Sequence, residues 1–221
     1  MTDVEVLLFD LDGTLINSLS DLTSSVNLML KDLGRHTLSE ADVRSFVGDG
    51  VSVLVKRSLA ATHPDSQPPD ESLHSEAVKL MRKHYADQMF VTTGLYPLVA
   101  ETLARLKEKK MGVVTAKEAH FTGEILERFG IAQYFGCVIG GDTLPERKPN
   151  PAPLFEAIKK LGGSIGKTVM IGDSENDVTA GKNAGISTCA VTYGFRTTEQ
   201  LLKVKPDVII DRFDQLIEFF R

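Results

Sequence analysis

Two short segments of this sequence concentrate carboxylates: Asp10-Leu11-Asp12-Gly13-Thr14 and Gly172-Asp173-Ser174-Glu175-Asn176-Asp177. Each follows an apolar run, Val4–Phe9 in one case and Thr168–Ile171 in the other. Two further polar residues follow similar runs. Thr115 comes after Met111–Val114, and Lys148 lies beyond Cys137–Ile139, within Arg147-Lys148-Pro149-Asn150-Pro151. If these runs are neighbouring strands, several carboxylates, one hydroxyl and one ammonium meet in a small volume.

Such crowding is costly without a cation, because like charges in a low-dielectric cleft raise each other's pKa values. An oxygen-rich site of this kind suits Mg²⁺, a hard ion held by a few carboxylates, waters and a phosphate. The ion would screen an incoming phosphate dianion from Asp10, leaving that carboxylate free to act as a nucleophile. Asp12 beside it suits general acid/base work. Thr115 can donate a hydrogen bond to a phosphoryl oxygen, and Lys148 can neutralise the phosphoryl group and Asp10. Taken singly, each signal has a plainer explanation: a turn, a helix cap, or a solvated lysine. Their joint occurrence, in order and each beyond an apolar run, is the specific feature.

The elements that must hold these residues follow from the apolar pattern. The runs named above, with Ser187–Val191 and Asp207–Ile210, are rich in Val, Ile and Leu and lack polar alternation. That is the pattern of strands buried on both faces. Helix-like segments at about 119–129, 151–162, 175–185 and 197–203 separate the later runs. Alternation of this kind predicts a doubly wound, Rossmann-like parallel α/β sheet. Ligands bind at the carboxyl ends of such strands, which is where the polar residues fall. The first strand is expected near the middle, since active residues must flank it.

One connection is far too long. From Asp10 to Thr115 the chain runs 105 residues, where a whole crossover unit needs about 30. The surplus reads as helices over about 18–33, 39–47, 51–61 and 70–89, with a turn-rich break at 63–70. Leu22, Val26, Met29, Leu30 and Leu33 follow helical spacing. The expectation is therefore a core of residues 1–15 and 89–221 with a helical cap of 16–88 inserted after its first strand. At about 150 residues per domain, 221 residues make roughly one and a half domains, and the cap is the half.

Composition excludes other classes. The 25 Lys and Arg against 30 Asp and Glu give a net charge of −5, without basic runs. Such a chain is a poor partner for nucleic acid or an anionic membrane. No apolar stretch approaches the roughly 18–20 residues of a transmembrane helix. The acidic start, Met1 to Glu5, lacks the basic opening of a secretory signal. Cys137 and Cys189 have no paired spacing, so they read as core residues in a reducing cytoplasm. Nothing in the sequence requires a protein partner, and a monomer or homodimer is expected.

With the motifs in hand, the chain resembles the haloacid dehalogenase superfamily over nearly its whole length. Asp10–Leu15 is similar to the first motif, Thr115 to the second, Lys148 to the third, and Gly172-Asp173 through Asp177 to the fourth. The resemblance implies Asp10 as nucleophile and Asp12 as acid/base. It implies a Mg²⁺ held by Asp10, the backbone carbonyl of Asp12 and Asp173, with Asp177 supporting nearby. Within the superfamily the phosphoglycolate phosphatase group is most similar, through Gly48-Asp49-Gly50, Lys148-Pro149-Asn150-Pro151 and Thr192-Tyr193-Gly194-Phe195. Ala116 stands where Asn is common, which keeps a backbone amide contact to substrate but loses a side-chain one.

The function implied is Mg²⁺-dependent hydrolysis of a small phosphate monoester, 2-phosphoglycolate first among candidates, through an aspartyl phosphate. A phosphosugar mutase, pyrophosphatase or nucleotidase would use the same chemistry, and a receiver module would accept phosphate without turnover. In the cap, Arg44, Lys56 and Arg57 could hold a substrate carboxylate. Gly48 and Gly50 could present backbone N–H groups to an anion. Exposed charges and a plain interhelical turn are their simpler explanations.

Overall fold

The structure, a computed structural model, describes residues 4–63 and 69–220. The break expected over 63–70 falls mostly on 64–68, outside the described residues. In chain order, β1 (Val6–Phe9) and β2 (Ile16–Asn17) precede four helices. These are α1 (Leu19–Asp32), α2 (Glu40–Phe46), α3 (Val51–Ala61) and α4 (Glu71–Gln88). Then come β3 (Gly94–Leu95), α5 (Val99–Arg105), β4 (Lys110–Val114), α6 (Ala119–Arg128), β5 (Cys137–Ile139) and α7 (Ala152–Lys160). The chain closes with β6 (Thr168–Gly172), α8 (Glu175–Asn183), β7 (Ser187–Val191), α9 (Thr198–Lys203), β8 (Val208–Ile210) and α10 (Leu216–Phe220).

Six strands form one parallel sheet in the order β5-β4-β1-β6-β7-β8. The doubly wound expectation holds, and β1 is interior. Every residue of β1 and β6 is buried, which is why both read as unbroken apolar runs. On one face, Val6 and Leu8 join Leu154 and Ile158 of α7 and Ala180 of α8. Phe9 points the other way. Its ring meets those of Phe135 and Phe213 at 6.0 and 5.8 Å. After β1 the chain adds β4 and β5 on one side, then crosses to add β6 on the other. Strand order thus reverses around β1, and a crevice opens at its carboxyl end.

The chain divides into two compact units, Met1–Asn17 with Leu95–Arg221, and Ser18–Gly94. The second is helical. Leu22, Val26, Met29 and Leu30 are buried on α1, and Val78, Met81 and Tyr85 are buried on α4. Asn27 accepts from Leu38 N at 2.8 Å and donates to Leu38 O at 3.0 Å, fixing the entry into α2. Ser39 and Asp42 then form a reciprocal capping box.

The end of this unit is set by one buried acid. Asp21 accepts from the backbone N–H and hydroxyl of both Thr92 and Thr93, at 2.6 to 3.0 Å. Burial would raise its carboxyl, but the hydrogen bonds from the two threonines outweigh this and hold it below the ordinary range. Charge-assisted bonds of this kind are strong, so residues 92–93 stay with α1 and the unit runs past α4 to Gly94.

Two features depart from the sequence reading. Helix α5 has no start signal, because its N-cap is Leu98, a left-handed residue at φ 66° with no capping side-chain bond. Cys137 is only half-buried because β5 is an edge strand, whereas Cys189 on interior β7 is fully enclosed. Burial pushes the Cys189 thiol up to about 12, as befits an inert core residue.

Candidate active site

Asp10 follows β1 directly, and its backbone N–H continues the ladder to Ile171 O at 2.9 Å. The strand thus delivers its side chain to the crevice. Gly13, at φ +85°, turns the chain immediately afterwards. Leu11 O accepts from the N–H groups of Thr14, Leu15 and Ile16 within that turn. Asp173 and Asp177 arrive from the other side of β1, the first on the β6–α8 loop and the second in the first turn of α8. Oxygens of Asp10, Asp173 and Asp177 all lie within 4.8 Å of one another, and all three residues are buried.

Glycines make this proximity possible. A Cβ on Gly13 would sit 2.2 Å from Asp173 Oδ2, and one on Gly194 would sit 2.3 Å from Asp173 Cβ. A Cβ on Gly172 would meet Asp177 Cγ at 2.2 Å. The carboxylates occupy space that any side chain at these positions would fill.

Each acid has its own environment. Asp173 Oδ2 accepts from Phe195 N at 2.7 Å. Burial raises the Asp173 carboxyl well above its ordinary value, and the charges of Asp10 and Asp177 add to this. Asp177 Oδ2 accepts from both Ser174 N and Ser174 Oγ, at 3.0 and 2.6 Å. Its Oδ1 accepts from Lys148 Nζ at 2.5 Å. Asp177 therefore caps α8 and anchors the lysine at once.

Lys148 Nζ also donates to Val114 O at 2.7 Å and lies 3.0 Å from Asp10 Oδ1. Burial alone would push its ammonium down, but Asp10 and Asp177 outweigh this and raise it. Asp10 is the opposite case. Burial raises its carboxyl to about 6, with Asp177 and Asp12 acting in the same direction and Lys148 against. Although near Lys148, Asp10 Oδ1 is buried and makes no hydrogen bond of acceptable geometry.

Thr115 follows β4 directly, with its N–H bonded to Ile139 O at 3.0 Å and its hydroxyl accepting from Lys117 N at 3.2 Å. Ala116 follows, its carbonyl so close to the β5–α7 loop that a Cβ on Gly141 would lie 2.2 Å away. Asp12 pairs with Lys117, Nζ to Oδ1 being 2.8 Å, while its charge still acts on Asp10. Lys117 escaped the sequence reading. Its only signal is its place two residues beyond the threonine. Phe195 N holds Asp173, and the Tyr193 hydroxyl donates to Thr14 O at 3.0 Å, in the turn after Asp12.

The candidates in the helical unit have other surroundings. Arg44 is exposed near the end of α2. Gly48 and Gly50 take φ values of +125° and +86°, in a loop that Arg57 staples. The Arg57 guanidinium donates to Phe46 O at 2.9 Å and pairs with Asp49 at 2.6 Å. That contact shapes the Gly48–Gly50 turn.

The donor set fits a divalent cation. Asp10, Asp12, Asp173 and Asp177 face two ammonium groups, Lys117 and Lys148, which leaves two negative charges for a dication to neutralise. An unsatisfied buried oxygen on Asp10 and raised carboxyls on Asp10 and Asp173 point the same way. A pH effect follows. Both folded-state values lie above the unfolded ones, so metal-free protein binds extra protons on folding. The contribution of Asp10 falls as pH rises from about 4 through 6, and that of Asp173 falls in the same direction. Stabilisation by millimolar Mg²⁺ should be larger at pH 7.5 than at pH 5, reaching roughly 5–10 °C in Tm at the higher pH. Melting curves with Mg²⁺ and with chelator test this, and equal gains at both pH values would contradict it.

Comparisons with known proteins point to one family. The model of the haloacid dehalogenase-like hydrolase family matches residues 7–191. The phosphoglycolate phosphatase of Vibrio parahaemolyticus is 38% identical over 218 residues, 98% of this chain and 96% of that protein. Its counterpart from Nitrosococcus oceani is 41% identical over 209 residues, covering 94% and 92%. The crystal structure of a "predicted phosphoglycolate phosphatase" from Haemophilus somnus superposes with a TM-score of 0.93 at 35% identity, over 99% of both chains. Among the described residues no helix is long and apolar enough to cross a membrane.

Proposed function

The chain belongs to the haloacid dehalogenase-like hydrolase family, and from that premise we propose a phosphatase acting on 2-phosphoglycolate through an aspartyl phosphate on Asp10. The observation that carries the reading is Asp10 itself. It is a buried carboxylate at the end of an interior strand, with one oxygen unsatisfied and an ammonium 3.0 Å away. Relatives named for phosphoglycolate over nearly the full chain support the substrate.

Asp10 attacks phosphorus, the ester P–O bond breaks, and Asp12 gives its proton to the leaving alcohol oxygen. Asp12 then takes a proton from water, whose oxygen attacks the same phosphorus. Inorganic phosphate leaves and the Asp10 carboxylate is restored. Lys148 offsets the negative charge of Asp10 and of the phosphoryl oxygens. The Thr115 hydroxyl, already accepting from Lys117 N, has its proton to donate to a phosphoryl oxygen, beside the Ala116 N–H.

Asp10, Asp173 and the Asp12 carbonyl would hold a divalent cation, Mg²⁺ on this proposal, while Asp177 acts mainly by holding Lys148. When bound, that ion supplies positive charge at the phosphoryl oxygens. Residues 18–94 form the cap that selects the leaving group, with Arg44, Gly48, Gly50 and Arg57 as its candidate contacts. A cytoplasmic setting belongs to the same proposal, in keeping with two unpaired thiols.

The test is phosphate release from a panel of 2-phosphoglycolate, sugar phosphates, nucleotides and pyrophosphate. The expected result is the highest kcat/KM on 2-phosphoglycolate. A clear preference for another ester would replace the substrate. Isomerised sugar phosphate without free phosphate would replace hydrolysis with mutase chemistry.

A further inference from the structure

Lys117 has no place in the steps above, yet its setting is unusual for a lysine. Its side chain is only 6% exposed, and its ammonium donates to Asp12 Oδ1, 105 positions away, at 2.8 Å. Lysines are rarely buried without a charged partner, and ordering such a flexible side chain costs about 2 kcal/mol of rotamer entropy. A plain loop connection would not need a cation at this point.

The loop that carries Lys117 is held unusually firmly. Gly141 N donates to Lys117 O at 2.8 Å, and Ala119 N donates to Asp142 Oδ1 at 2.8 Å. Arg147 Nε donates to Gly141 O at 2.8 Å, tying the second loop down in turn. Gly140 has the same tight clearance as Gly141, since a Cβ there would sit 2.5 Å from Ala119 N. Two loops are thus packed backbone to backbone, and the lysine leaves from their junction toward Asp12.

Asp12 needs such an anchor. It lies beyond the end of β1, next to a glycine at φ +85°, where the six-stranded sheet no longer holds the chain and a single bridge to Ile16 fixes its backbone but not its side chain. We propose that Lys117 is a positioning residue for Asp12: the braced β4–α6 loop sets the ammonium, and the ammonium aims the carboxylate that must serve the leaving oxygen and then water. This proposal rests on the acid/base role given to Asp12 above. Lys117 touches neither substrate nor metal in it, so its effect must pass entirely through Asp12.

A double-mutant cycle on the full chain, with the panel's best ester as substrate, tests this. Lys117→Met is expected to lower kcat about 10–100-fold, as losses of orienting partners do, with KM moved less than about twofold. Asp12→Asn is expected to lower kcat about 10²–10⁴-fold. The double variant should be no slower than Asp12→Asn alone, because Lys117 then has nothing left to aim. Melting temperatures are recorded for each variant. Should Lys117→Met fail to fold, Lys117→Gln enters the same cycle.

Losses that multiply in the double variant would overturn the proposal. So would a raised KM at unchanged kcat, which would mark a direct substrate contact, or full activity in Lys117→Met. Full activity in Asp12→Asn would instead overturn the acid/base assignment under the proposed function. The two failures are therefore distinguishable.

Discussion

Replacing Asp10 with asparagine is expected to abolish turnover and, at the same time, to make the metal-free protein more stable. The amide keeps the shape of the side chain but removes the charged nucleophile, so kcat should fall by at least about 10⁴-fold. Stability should move the other way because burial is the main cause that raises the Asp10 carboxyl to about 6. At pH 7.5 the folded protein must hold that group ionised against its environment. A shift of two units corresponds to at most roughly 3 kcal/mol, a net figure that already includes the attraction to Lys148. The expected net effect is a rise of a few degrees, at about 2–4 °C per kcal/mol for a chain of this size. Phosphate release and melting curves in chelator at pH 7.5 provide both readings. Full activity would place the nucleophile elsewhere. A lower Tm would mean that attraction to Lys148 exceeds the cost of burial.

Lys148→Met should damage stability and activity together. Its ammonium bonds Val114 O and Asp177, lies 3.0 Å from Asp10, and its side chain is 4% exposed. Methionine fills the space but leaves buried carboxylates facing each other, a change that typically costs about 3–5 kcal/mol. With the cation gone, nothing on this side offsets charge on the phosphoryl group, and kcat should fall about 10²–10³-fold. Asp10 and Asp177 hold the ammonium above its ordinary value, so it stays charged throughout the working range. Its contribution to the stability difference between wild type and variant should therefore show no lysine titration from pH 6 to 9, and would begin to fall only above about pH 10.4, where the lysine of the unfolded chain loses its proton. Melting and steady-state kinetics from pH 6 to 9 test this. A variant of wild-type stability would show that Lys148 only breaks even against the cost of burying it.

The four acids, Thr115 and Lys148 were readable in advance because each follows an apolar run, and apolar runs in this composition can only be buried strands. A strand end is a fixed address. The surplus between Asp10 and Thr115 was equally plain, since 105 residues cannot be one crossover. Helix α5 could not be read the same way, because Leu98 gives no cap signal. Cys137 was read as core because sequence does not say which strand forms an edge.

What stayed hidden were the pairings between distant positions. Asp21 with Thr92 and Thr93 spans 71 and 72 residues, and Asp12 with Lys117 spans 105. The clearances at Gly13, Gly172 and Gly194 likewise depend on which loops meet. The amino-acid sequence alone determined the α/β class, the inserted helical segment and the candidates for the reactive groups, because these follow from local hydrophobic period and the chemistry of single side chains. Tertiary structure alone decided that Asp177 holds Lys148, that Asp12 turns to Lys117, and that Asp10 keeps an unsatisfied oxygen. Those outcomes depend on strand order and register, which bring together residues that no local pattern connects.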